Sequence, residues 1–124
     1  MTQERIQTRN PLGGPFATQA KLKQAIARSI EAHKRDFFPL LERLVDVGDT
    51  RVNLSQENPL RVLNIELDND GSQGQAHLNY ESNFAESCLI INEYEQHQTI
   101  VPFRLEGDEL VFDLELPIAW NFHN

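Results

Sequence analysis

Apolar residues in the N-terminal third of the chain return every three or four positions. From Thr18 onward, Leu22, Ile26, Ile30, His33 and Phe37 keep this spacing, while Lys21, Lys23, Arg28, Lys34 and Arg35 fall mainly between them. That pattern predicts an amphipathic helix with a basic outer face and Thr18 as its N-cap. A second helical set, Phe37, Leu40, Leu41, Leu44 and Val45, follows, with Asp36 able to cap it and Pro39 in the first turn, where a missing N–H costs little. Pro39 is compatible with one kinked helix or with two, and Gly48 is the expected stop.

After residue 50 the period changes to two. Leu63, Ile65 and Leu67 alternate with polar residues, as do Ala76, Leu78 and Tyr80, and the turn-rich stretch Asp68 to Gly74 lies between them. This predicts a hairpin with a longer loop, in which Ile65 faces Leu78 and Glu66 faces His77. A second hairpin turns at Gly107-Asp108 and pairs Leu105 with Leu110, Phe103 with Phe112 and Val101 with Leu114 on one face. Arg104, Asp113 and Glu115 then share the other face. Pro102 cannot donate to a ladder, so its strand is expected at an edge or bulged there. The stretch from Cys88 to Tyr94 reads as a strand apolar on both faces at its start, and Glu95 to Gln98 as a turn. Ile118, Trp120 and Phe122 alternate in the tail and either extend the last strand or pack under the helices.

Residues 1–15 show no periodicity and carry Asn10-Pro11 and Gly13-Gly14-Pro15. They are expected to form a flexible lead-in, leaving 16–124 as a single domain. Helices first and a meander of about five strands afterwards imply an α+β fold, with the N-terminal helical segments packed on one face of an antiparallel sheet.

Composition adds polarity to this picture. The 124 residues carry 11 basic and 19 acidic side chains, a net charge of −8. Ten of the basic residues lie in 1–61 beside seven acids, whereas beyond residue 61 Arg104 stands alone against twelve carboxylates. The acidic balance argues against direct nucleic-acid binding, which needs Lys and Arg at phosphates, and favours a basic protein partner. No apolar run approaches the roughly 20 residues of a membrane-spanning helix. The N-terminus lacks the features of a secretory signal, and the single cysteine, Cys88, suits a reducing compartment, so a cytoplasmic protein is expected.

Motifs for catalysis and cofactors are missing. Asp68-Asn69-Asp70-Gly71-Ser72 opens like a calcium loop, but Gln73 and Asn79 occupy positions that need Gly and a bidentate Glu, so a plain turn is the better reading. His33, His77, His97 and His123 sit in no motif, and a His77–Glu66 pair is equally a surface ion pair. Cys88 reads as a small buried hydrophobe, and Ser29, Ser55, Ser82 and Ser87 lie in no Gly-x-Ser-x-Gly elbow. No metal, cofactor or catalytic residue is therefore expected. The carboxylates Glu93, Glu95, Glu106, Asp108, Glu109, Asp113 and Glu115 are concentrated on adjacent strands and turns, offset only by Arg104. They are the candidate partner-binding residues, although acids there would also serve solubility.

In size, acidity, low cysteine content and α+β pattern, residues 16–124 resemble the immunity proteins of bacterial polymorphic and contact-dependent toxin systems. The resemblance implies a cytoplasmic, non-catalytic protein that binds and neutralises a basic toxin domain, such as a nuclease, through its acidic sheet and hairpin face. An acidic secretion chaperone, a structural subunit of an assembly and a small hydrolase are the alternatives. A monomer is favoured over an oligomer.

Overall fold

The computed structural model describes residues 4–45, 51–86 and 91–117. Gly48, Cys88, Ile118, Trp120, Phe122 and His123, and the expectations attached to them, lie outside these residues. In chain order the elements are β1 (Arg5–Pro11), α1 (Gln19–Ala32), a 3-10 turn (Lys34–Phe37), α2 (Phe38–Val45), β2 (Val52–Leu54), β3 (Arg61–Leu67), β4 (Gln73–Glu86), β5 (Ile91–Glu106) and β6 (Glu109–Glu115). The fold is α+β. Two helices precede a meander of antiparallel strands, and β1 joins the sheet from the front of the chain. The order across the six-stranded sheet is β1-β6-β5-β4-β2, with β3 sharing the edge of β4 that β2 occupies further along.

Local chemistry accounts for the helices. The Thr18 hydroxyl accepts from the Lys21 N–H at 3.1 Å, which satisfies one of the donors left open at the start of α1. The 3-10 turn divides the helical region in two, and Pro39 falls in the first turn of α2, where no intrahelical donor is lost. Ile26 and Ile30 of α1 and Leu40, Leu41 and Val45 of α2 are buried against the sheet. Phe37 meets the Phe112 ring edge-on at 4.9 Å, and Phe103 lies 5.8 Å from Phe112 on its other side. Three aromatic rings from the helical turn, β5 and β6 thus form the centre of the core.

Next to its turn the Gly107-Asp108 hairpin has the expected register, with Leu105 opposite Leu110 and Gly107 at φ +63°, but the ladder ends at Arg104–Val111, short of the expected Phe103–Phe112 and Val101–Leu114 pairs. Gly74 is fixed by packing rather than by dihedral angle. A Cβ added there would lie 1.9 Å from the Glu66 carbonyl oxygen and 2.9 Å from the Phe103 ring.

Other expectations need correction. Residues 5–11 pair with Glu109–Glu115 of β6 along their whole length instead of leading loosely into the domain. Glu95–Gln98 is not a turn. It lies inside β5, because β4 is long enough to pair with Ile91–Arg104 over fourteen residues, and Asn79–Gln96 and Ser82–His97 side-chain bonds at 2.8 and 2.7 Å tie the polar stretch together. A bulge between Val62 and Asn64 turns Leu63 outward and sends Val62 toward the core, so Ile65 faces Ala76 rather than Leu78. Asp36 accepts from Asn10 at 3.1 Å and so fastens the 3-10 turn to β1. Glu31 accepts from the Val62 N–H at 3.1 Å and so covers part of the β3 edge. His33 is exposed at the end of α1, with Nδ1 2.9 Å from the Ser29 carbonyl, rather than half-buried on the apolar stripe.

Candidate interaction face

Strand alternation sends Leu110, Phe112 and Leu114 of β6 toward the helices and Glu109, Val111, Asp113 and Glu115 outward. Register brings Arg5, Gln7 and Arg9 of β1 onto the same outward face, opposite Glu115, Asp113 and Val111. Arg104 and Glu106 of β5 complete it. None of the described helices covers this side.

The charges there form a lattice. Arg9 Nη1 lies 2.7 Å from Glu106 and 3.4 Å from Glu109, and Arg5 lies 2.8 Å from Glu115. Arg104 pairs with Glu106 at 2.5 Å through Nε and with Asp113 through Nη1. Gln7 donates to Asp113 at 2.8 Å and accepts from Arg9 Nε at 2.9 Å, so the amide links the two halves. Val111, between Arg9 and Arg104 in register, is fully buried beneath them, consistent with guanidinium stems laid along apolar surface.

The lattice shifts its own titrations. Hydrogen bonds from Gln7 and then Arg104 hold the Asp113 carboxyl below the ordinary carboxylate range, and bonds from Arg104 and then Arg9 do the same for Glu106. Arg9 is raised by Glu106, and Arg104 by Asp113 and Glu106. These side chains are all solvent-accessible, so individual pairs contribute little to stability. Their effect is to hold charges in fixed positions.

The structure therefore divides the seven acids expected to form one patch. Glu106, Glu109, Asp113 and Glu115 converge, with Asp108 at the adjoining turn. Glu93 and Glu95 do not join them. They lie on the opposite side of β5, about 36 Å (Glu95) and about 43 Å (Glu93) along the strand from Glu106 at the usual rise per residue. The expectation that Arg104 alone offsets these acids is also corrected, because Arg5 and Arg9 arrive on β1. Arg5, Gln7 and Arg9 alternate along β1 with the half-buried Ile6 and Thr8.

Histidine and loop chemistry were also resolved. His97 stacks on Tyr80 at 5.0 Å and its Nε2 is 2.7 Å from the Ser82 hydroxyl. Glu95 approaches that same nitrogen at 3.9 Å rather than Nδ1, so it does not orient the ring as a serine–histidine relay requires. His77 pairs with Glu66, as a diagonal neighbour instead of a directly opposite one. In the Asp68–Ser72 turn, the Asp70 carboxylate accepts from the Ser72 N–H and hydroxyl at 2.9 and 2.7 Å, and Gly71 takes φ +72°. These bonds lower the Asp70 pKa, with the Ser72 hydroxyl the largest cause. Among the described residues no group of three or more His, Cys, Asp and Glu could hold a metal ion, and no helix is long and apolar enough to cross a membrane. A cleft of about 1030 Å³ lies away from the lattice between α2 and the β2 edge and mixes both signs, with Lys34, Arg35, Glu42 and Glu57 on its walls. Comparison with protein-family models, curated proteins and solved structures yields no match.

Proposed function

We propose that the chain is a non-catalytic binding protein that docks on a basic protein partner and neutralises it, as an immunity protein does with a bacterial toxin domain in the cytoplasm. The observation that supports this reading is the lattice on the uncovered sheet face. Four carboxylates, Glu106, Glu109, Asp113 and Glu115, pair with three guanidiniums, Arg5, Arg9 and Arg104, and Asp108 lies at the adjoining turn, leaving an excess of two negative charges on this surface. Charges already ordered lose less side-chain freedom when a partner arrives. The chain's net charge of −8 adds long-range steering toward a basic surface.

The test is co-expression with the products of flanking reading frames, followed by kinetic binding measurements. A basic product that arrests growth alone and is relieved by this chain is expected. Its association rate should fall steeply with added salt, and Glu109→Lys with Glu115→Lys should slow association while circular dichroism stays unchanged. A growth-arresting partner whose binding is indifferent to both salt and these reversals would overturn the assignment to this face. A flanking set containing no partner at all would overturn the immunity reading.

A further inference from the structure

The sheet is split between β5 and β6. Their ladder runs only from Glu106–Glu109 to Arg104–Val111, although both strands continue well beyond it. Pro102 is the physical cause, since it falls opposite Asp113 in the same register and has no N–H to give the Asp113 carbonyl. From that point the strands line a cleft of about 440 Å³.

The lining residues show that this cleft passes between the strands. Ile100, Val101 and Pro102 of β5 and Asp113, Leu114 and Glu115 of β6 all border it, although neighbours in each run point to opposite faces of the sheet. Leu40 and Leu44 of α2 form its floor. The backbone alternation is fixed by bonds on the outer side of each strand. Leu105 N–H donates to Ser72 on β4's side, and Leu116 N–H donates to Glu4 on β1's side. Ile100 on β5 and Asp113 and Glu115 on β6 therefore turn their N–H and C=O groups into the cleft, with no ladder partner across it among the described residues. Among the described residues, the charged side chains bordering the cleft are Asp113 and Glu115, both negative.

We propose that this cleft is a binding site for an extended peptide segment, which enters as an added strand with apolar side chains alternating with basic ones. Its apolar residues would face Leu40, Leu44, Val101 and Leu114. Its basic residues would emerge on the outward face beside Asp113 and Glu115, and its backbone would complete the ladders that Pro102 interrupts. The neutralised partner proposed above is one source of such a segment, and only the source rests on that reading. The site itself is testable without any toxin.

The experiment uses the full chain and a short synthetic peptide alternating Lys and Val, followed by amide-resolved NMR and hydrogen exchange. In the free protein the Ile100, Asp113 and Glu115 amides are expected to exchange much faster than those of Arg104 and Val111, and saturating peptide should slow them by about tenfold or more. Pro102→Val restores the missing donor, lets β5 and β6 close on each other, and should weaken the peptide by at least about tenfold. A peptide N-methylated at alternate residues should not bind, and one alternating Glu and Val should bind more weakly. Slow exchange of these three amides before peptide is added would mean that the cleft is already filled by the chain itself and would overturn the proposal. So would peptide binding that survives both Pro102→Val and N-methylation, or shifts that map away from β5 and β6. Neutralisation of a toxin by a protein that fails these tests would leave the lattice reading intact and remove only the strand site.

Discussion

Phe112 joins the helical layer to the sheet, and replacing it tests whether the core is built as described. Its side chain is 2% exposed and contacts both Phe37 and Phe103. Phe112→Ala removes the ring from a packed interior, a change that typically costs about 3–5 kcal/mol including the cavity left behind. For 124 residues, unfolding entropy of about 2.1 cal/mol/K per residue gives roughly 0.26 kcal/mol/K, so the midpoint should fall by about 12–19 °C. Differential scanning calorimetry reads this directly, and urea titration gives the free energy. Phe112→Leu retains most of the buried apolar area but loses two ring-on-ring contacts, for about 1–3 kcal/mol. A double-mutant cycle of Phe37→Leu with Phe112→Leu should show coupling of about 0.5–1.5 kcal/mol. Additive losses in that cycle, or a Phe112→Ala cost below about 1.5 kcal/mol, would refute the three-ring core.

Gly74→Ala should destabilise the chain by at least about 1–3 kcal/mol, because the new methyl meets the rigid Glu66 carbonyl rather than a movable side chain, and urea midpoints will report it. Acid should weaken the lattice end of the sheet. Asp113 and Glu106 are held below their ordinary pKa, so their contribution is complete above the usual carboxylate range and disappears as pH falls through it and below. Stability measured against pH should therefore decline more steeply on the acid side in the wild type than in a variant carrying Asp113→Asn and Glu106→Gln. Equal slopes would show that these groups titrate alike in the folded and unfolded chains.

Side-chain periodicity made the helices, the second hairpin and its register legible, because each depends on local signals: Thr18 before a 3.6-residue period, and Gly107-Asp108 between alternating apolar residues. The elements that escaped depend on distant partners. Residues 5–11 are too polar to announce a strand and become one because β6 offers an edge. The polar middle of β5 is a strand because β4 runs alongside it. A strict two-residue period places Leu63 on the wrong face because a bulge is invisible to it. The candidate site was half visible for the same reason. Its carboxylates and Arg104 could be read from the chain, but Arg5 and Arg9, which also order them, come from about a hundred residues away.

That separation has a consequence for how the protein is made. Arg9 and Glu106 are 97 positions apart, and Gln7 and Asp113 are 106 apart. A ribosome delivers β1 before the other described strands and β6, its only ladder partner among them, after them. The helices and the inner hairpins can form while synthesis continues, but β1 has no edge to join until β6 has emerged. Closing so distant a pair places this step late and makes it slow compared with the local turns. Until then β6's outer edge would be open to neighbouring chains, and the first strand of the sequence would be the last to be laid in the sheet.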